Sequence, residues 1–127
     1  MHFSIKYFAN IKELQKQLLE FITSEANAEE MFQNLNSLFD SLKIHQNKNE
    51  LKLFLRLLSK IANNHYRTND FFNKIGKIVN LFKAEISIFF SNLEIFQIFQ
   101  ENKRLLLFLI DEKLLIIDNA IFDIIKN

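Results

Sequence analysis

The 127-residue chain contains no proline, one glycine (Gly76) and one valine (Val79). Proline and glycine usually punctuate turns and bulges, and valine is a staple of strands, so an all-β fold is nearly excluded. Apolar volume comes instead from Leu, Ile and 15 Phe, with Asn, Ser and Lys filling the intervals between apolar stretches. A chain of this length buries roughly two thirds of its unfolded surface without a disulfide or a metal. Its 49% hydrophobic and 24% charged residues set it apart from chains that remain disordered. The expectation is an all-α fold of about seven or eight short amphipathic helices, because apolar residues recur at helical spacing along the chain.

A first helix is predicted from about Ser4 to Thr23, with Phe8, Ile11, Leu14, Leu18 and Ile22 on one stripe. Asn27 and Glu30 have the spacing of a helix-starting cap before Met31, Leu35, Leu38, Phe39 and Leu42, in a helix ending near Ile44. Asn47 and Glu50 repeat that device ahead of Leu51, Phe54, Leu55, Leu58 and Ile61, in a helix ending near Asn63 or Asn64. Leu53 and Leu57 widen the apolar face of this third helix, which places it centrally. Thr68 and Asn69 open a fourth helix carrying Phe71, Phe72, Ile75, Ile78, Val79 and Phe82, and a segment with Ile86, Phe89 and Phe90 continues it or follows a bend. Gly76 lies within that fourth helix, where glycine costs about 1 kcal/mol relative to alanine, so either a neighbouring helix comes close to it, the favoured reading, or the site simply tolerates it.

Ser91 and Glu94 form the best capping box, starting a helix with Leu93, Phe96 and Phe99 that stops around Glu101. Asn102 caps the run Leu105 to Ile110, and Asp118 caps a last helix with Ile121, Phe122, Ile124 and Ile125. Residues 1–127 are read as one helical domain. Longer helices over 1–90 suggest a bundle, and short helices over 91–127 suggest solenoid-like pairs that share its core. Ile121, Phe122, Ile124 and Ile125 are the candidate interaction face, because an outermost helix has no later element to cover it. The alternative is that this helix folds back onto the bundle.

The same reading excludes several function classes. With no cysteine there is no disulfide framework, thiolate nucleophile or sulfur-ligated zinc, and a reducing, cytoplasmic location is expected. No Asn-x-Ser/Thr sequon occurs, residues 1–12 do not have a leader pattern, and Leu105 to Ile110 is far shorter than the ~20 apolar residues that cross a bilayer. The 16 basic and 15 acidic side chains are interspersed, and Lys48, Lys52 and Arg56 share their helix face with Glu50, so neither nucleic acid nor membrane is expected as a partner. His2, His45 and His65 include no i, i+4 pair, and His45 and His65 fall near helix carboxyl ends, where a partly cationic imidazole meets the helix dipole favourably. Glu29 with Glu30, Asp111 with Glu112, and Asp118 with Asp123 are the carboxylate groupings, of which the first pair suits a helix's first turn. A single glycine cannot build a phosphate loop, and no serine has a nucleophile-elbow context. No catalytic, cofactor-binding or metal-ligating set is assigned. Phe71, Phe72, Phe89, Phe90, Phe96 and Phe99 are read as core, the alternative being walls of a cavity for an apolar ligand.

Over Glu50 to Val79, ELKLFLRLLSKIANNHYRTNDFFNKIGKIV, and Glu94 to Asp118, EIFQIFQENKRLLLFLIDEKLLIID, the chain resembles the amino-terminal helical region of a family of protozoan ankyrin-repeat proteins. The likeness covers nearly all of the chain. In that family a helical segment of unknown function precedes ankyrin repeats that bind other proteins. The chain departs from the pattern in having no Thr-Pro-Leu-His turn and in stopping where repeats would begin. The resemblance implies a cap-like scaffold or protein-interaction domain whose partner is another protein or a second copy. It supplies no catalytic residues.

Overall fold

The helical periodicity is realised as α-helices throughout a computed structural model that describes residues 5–24, 29–64 and 71–126, with side chains from Lys12 onward except those of residues 122 and 124–126. Among these residues there are eight helices: α1 (Ile5–Thr23), α2 (Glu29–Leu42), α3 (Lys48–Asn64), α4 (Phe71–Leu81), α5 (Lys83–Phe89), α6 (Asn92–Phe99), α7 (Lys103–Asp111) and α8 (Asn119–Lys126). The predicted starts at Asn27 and at Thr68 and Asn69, like His2 and His65, fall outside the described residues.

The other starts lie where the short polar side chains put them. Asn47 Oδ1 accepts from the amides of Asn49 (2.8 Å) and Glu50 (3.3 Å) at the start of α3. Asn102 Oδ1 accepts from Leu105 N at 3.0 Å, and Asp118 Oδ1 from Ile121 N at 3.0 Å. Each bond satisfies a first-turn amide that has no partner within the helix.

Helix ends depart further from the reading. α2 stops at Leu42 instead of near Ile44, because Lys43 turns left-handed (φ 58°) and Ile44–Gln46 forms a separate 3-10 turn. α7 is closed by a second left-handed lysine, Lys113 (φ 61°). Lys113 N donates to Ile110 O at 2.9 Å and Leu114 N to Leu109 O at 2.8 Å, the paired bonds of a Schellman ending in which glycine normally occupies the left-handed position. In a chain with one glycine, lysine takes that position twice.

α4 and α5 are two helices meeting at a bend, where Phe82 leaves helical geometry (φ −107°, ψ 9°) while its carbonyl still accepts from Ile86 N at 2.8 Å. A single core runs from Leu14 and Leu18 of α1 through Leu51, Leu55 and Leu58 of α3 and Ile75 and Ile78 of α4 to Leu105 and Leu109 of α7. α1 packs on α2 and α4, α3 lies against the 3-10 turn and α6, and α6, α7 and α8 pack on one another. Burying each such Leu, Ile or Phe contributes roughly 1.5–3 kcal/mol, so most of the stability comes from this continuous interior. Gly76 has the expected close neighbours: a Cβ there would stand 3.1 Å from Leu114 Cδ1 and 3.3 Å from Phe108 Cε1. Leu53 does not need the cover its position suggested, for it remains 49% exposed while Leu57 is half-buried.

Two polar devices tie the layers together. Phe39, Phe54 and Phe82, from α2, α3 and the α4–α5 bend, form a triangle with ring centroids 4.9 to 5.2 Å apart, and the His45 ring stacks on Phe82 at 4.4 Å. Glu85 Oε1 lies 3.6 Å from His45 Nδ1, beside the ring stacking that joins the 3-10 turn to the α4–α5 bend. Lys74 of α4 is buried on the apolar stripe, and its Nζ donates to Phe21 O at 2.9 Å and to the carbonyl of Ser24. It also sits 5.5 Å from the centre of the Phe21 ring. A cation from α4 thus closes the carbonyl end of α1, where the helix leaves acceptors unpaired and carries partial negative charge.

Candidate interaction groove

Downstream of Lys113 the chain bends at Leu114 and Leu115 and runs without regular structure to Asp118, and burial alternates: Leu115 and Ile117 are buried, while Ile116 between them is 72% exposed. This stretch passes close to α5 and α6 and leaves a groove of about 180 Å³. Buried Ile86, Phe90, Ile95 and Leu115 form its floor, and Lys83, Ser87, Asn92 and Ile116 stand at its edges. Two more aliphatic side chains are exposed on the same two helices, Ile88 at 78% and Leu93 at 54%. Neither lines the groove, and singly exposed Leu and Ile are unremarkable.

α6, one wall of the groove, starts with a complete capping box. Ser91 Oγ accepts from Glu94 N at 3.2 Å while Ser91 N donates to Glu94 Oε1 at 3.1 Å, completing the capping box expected at the start of α6. Glu94 Oε2 also meets Lys48 Nζ at 2.7 Å, and Lys48 lies 5.5 Å from the centre of the Phe90 ring. The Lys48 bond and the Ser91 amide hold the Glu94 carboxyl at a pKa of about 2, below its ordinary 4.5. In the unfolded chain the carboxyl takes up protons at higher pH than in the folded one, so the pair's contribution is complete above about 4.5 and disappears as pH falls toward about 2. The expected result is that wild type is more stable than Glu94→Gln at pH 6, and that the difference shrinks progressively below pH 4.5 in urea titrations; a gap unchanged at pH 2.5 would contradict it.

A second cleft, of about 280 Å³, lies where α3 ends and α7 begins, lined by Asn63, Phe72 and residues Glu101 to Arg104. Its buried Asn102 already spends its side-chain oxygen on the α7 cap.

The other residues singled out from the sequence are dispersed. Ile121 is half-buried against the core and α8 packs on α6 and α7, whereas the side chains of Phe122, Ile124 and Ile125 lie outside the described ones. Glu29 and Glu30 stand exposed in the first turn of α2. Asp111, Glu112, Asp118 and Asp123 are exposed, with Asp118 engaged as a cap. Among the described residues no three His, Asp or Glu gather as a metal site, and no helix is long and apolar enough to cross a membrane. Of the middle phenylalanines, Phe71, Phe90 and Phe99 are buried, and Phe72, Phe89 and Phe96 pack partly buried against the core. Sequence reading missed the groove, since it arises where residues 114–116 turn back onto the consecutive helices α5 and α6.

Fold and surface together define an all-α domain carrying a small groove with an apolar floor and polar edges. Comparison with protein-family models, with curated proteins and with solved structures found no match.

Proposed function

We propose that the chain is a non-catalytic protein-interaction domain, and that its docking site is the groove between α5, α6 and residues 114–116. The observation that carries this reading is an apolar floor bordered by an isoleucine left almost wholly in water: Ile116 is 72% exposed although its neighbours Leu115 and Ile117 are buried. The size of the groove favours a protein partner over a small molecule. Small-molecule sites typically enclose about 300–1,000 Å³, whereas 180 Å³ accommodates a side chain or two of a docking segment. The resemblance to the helical region preceding ankyrin repeats supports the same reading, as does the cysteine-free composition for a cytoplasmic setting.

Panning a random 12-residue peptide library on the purified chain, with Ile116→Asp as the counter-selection, tests the proposal. Ile116→Asp is a surface change expected to alter stability by no more than about 0.5 kcal/mol. Selected peptides should bind wild type at least tenfold more tightly than the variant. A library yielding only peptides that bind both proteins equally would remove the groove as the docking site.

A further inference from the structure

We infer that the outer face of α3 is a second docking surface, and that its occupant is an acidic amphipathic helix of a partner protein. This surface is separate from the groove and does not depend on it. α3 carries four cations, Lys48, Lys52, Arg56 and Lys60, each four residues from the next, against one carboxylate, Glu50. Residues four apart are neighbours on a helix, so the cations form one row that rises about 6 Å at each step. Glu50 does not interrupt the row, because two residues along a helix turn by about 200° and set it on the opposite side from Lys52. Lys48 is neutralised by Glu94 at 2.7 Å. Lys52, Arg56 and Lys60 make no ion pair or hydrogen bond with any described residue, and Arg56 and Lys60 are exposed. The elements packed on α3 bring the row no further acid. The 3-10 turn has none, Glu94 is the one carboxylate within α6, and α2 meets α3 through Phe39 on Phe54, around the side away from Lys52. Glu101, at the cleft where α3 ends, stands with Lys103 and Arg104.

A seam beside the row selects a helix among acidic partners. Leu53 and Leu57 are a further pair four residues apart, each three residues before a cation of the row; Leu53 is 49% exposed and Leu57 half-buried. An apolar strip flanked by cations at helical spacing is matched by a helix with Leu and Glu in two adjoining rows, whose carboxylates advance by the same rise. A phosphate backbone or a lipid surface would answer the charge and leave Leu53 in water.

The experiment titrates the full chain into a fluorescein-labelled helical peptide of Ala, Leu and Glu, about 18 residues long, with Leu and Glu set in those two rows, and into its counterpart with Gln in place of Glu. Fluorescence anisotropy at low salt should show the Glu peptide binding roughly eightfold more tightly, about twofold for each of three exposed ion pairs. The advantage should fall below about twofold in 0.5 M NaCl, as screening shortens to a few ångströms. Arg56→Glu combined with Lys60→Glu, surface changes that keep the urea midpoint near that of wild type, should make the Gln peptide the better ligand. Leu53→Lys separates the occupants, since it adds a cation while removing apolar surface: it should weaken the Glu peptide roughly threefold, and it would strengthen binding of poly(U) RNA or phosphatidylserine vesicles. Equal binding of the Glu and Gln peptides, tighter binding of the Glu peptide by Leu53→Lys, or RNA or vesicles bound in preference to it would overturn the acidic helix. Ile116→Asp should bind the Glu peptide as wild type does, so that failure at the groove and failure at α3 are read separately.

Discussion

Phe82→Ala is expected to cost about 3–5 kcal/mol, the usual range for emptying a buried phenylalanine site. Phe82 is fully buried at the bend between α4 and α5, with rings from α2, α3 and the 3-10 turn packed on it: Phe39 and Phe54 at 5.2 Å and His45 at 4.4 Å. Truncation removes a contact common to four segments, and close-packed neighbours relax only partly into the space left behind. Domains of this size are stable by about 5–15 kcal/mol in total, so the variant should lose a large part of its margin. Urea denaturation reads the effect as a lowered midpoint. Ile88→Ala, in the adjoining α5 but 78% exposed, is the control and should fall within about 0.5 kcal/mol of wild type. Equal losses at the two positions would show that the aromatic triangle is not a joint of the fold.

Lys74→Met should destabilise by about 2–4 kcal/mol. Methionine keeps the unbranched apolar stem and removes the ammonium that serves the carbonyls of Phe21 and Ser24. Hydrogen bonds to charged groups contribute about 1.5–3 kcal/mol each, and a buried acceptor left without a donor keeps its desolvation cost. Because Lys74 and Phe21 are 53 positions apart, the loss is felt at the far end of α1. Urea midpoints give the magnitude, and amide exchange faster in α1 than in α3 locates it. A variant as stable as wild type would mean that water or the chain itself supplies the missing donor.

What could be read from the sequence was local. A cap acts over three residues, so Asn47, Ser91, Asn102 and Asp118 announce their helices without reference to the rest of the molecule. Periodicity likewise gave the order of the helices and the buried faces of α3 and α4. Gly76 was legible as a close approach because a glycine inside a helix needs a reason, though nothing local names Leu114 and Phe108 as its neighbours. Lys74 could have been found: it sits between Phe71, Ile75 and Ile78, and a charge on an apolar stripe asks for a partner. The partner itself, the end of α1, depends on tertiary packing. The left-handed turns at Lys43 and Lys113 left no signal, since glycine or asparagine is the residue that normally marks them. The groove was hidden for the same reason, because the turn at Lys113 aims residues 114–116 at α5 and α6.

That turn also fixes a phase. Beyond it burial alternates from one residue to the next: Leu115 inward, Ile116 outward, Ile117 inward. Four aliphatic residues in a row, Leu114 to Ile117, contain no information about which should face water, so the assignment is made by where the backbone reverses. Moving that reversal by one residue would exchange the two sets, burying Ile116 and exposing Leu115 and Ile117. Composition would be untouched, yet the surface beside Lys83 would be a different one. In this molecule the character of the groove is written in the timing of a turn as much as in the residues that line it.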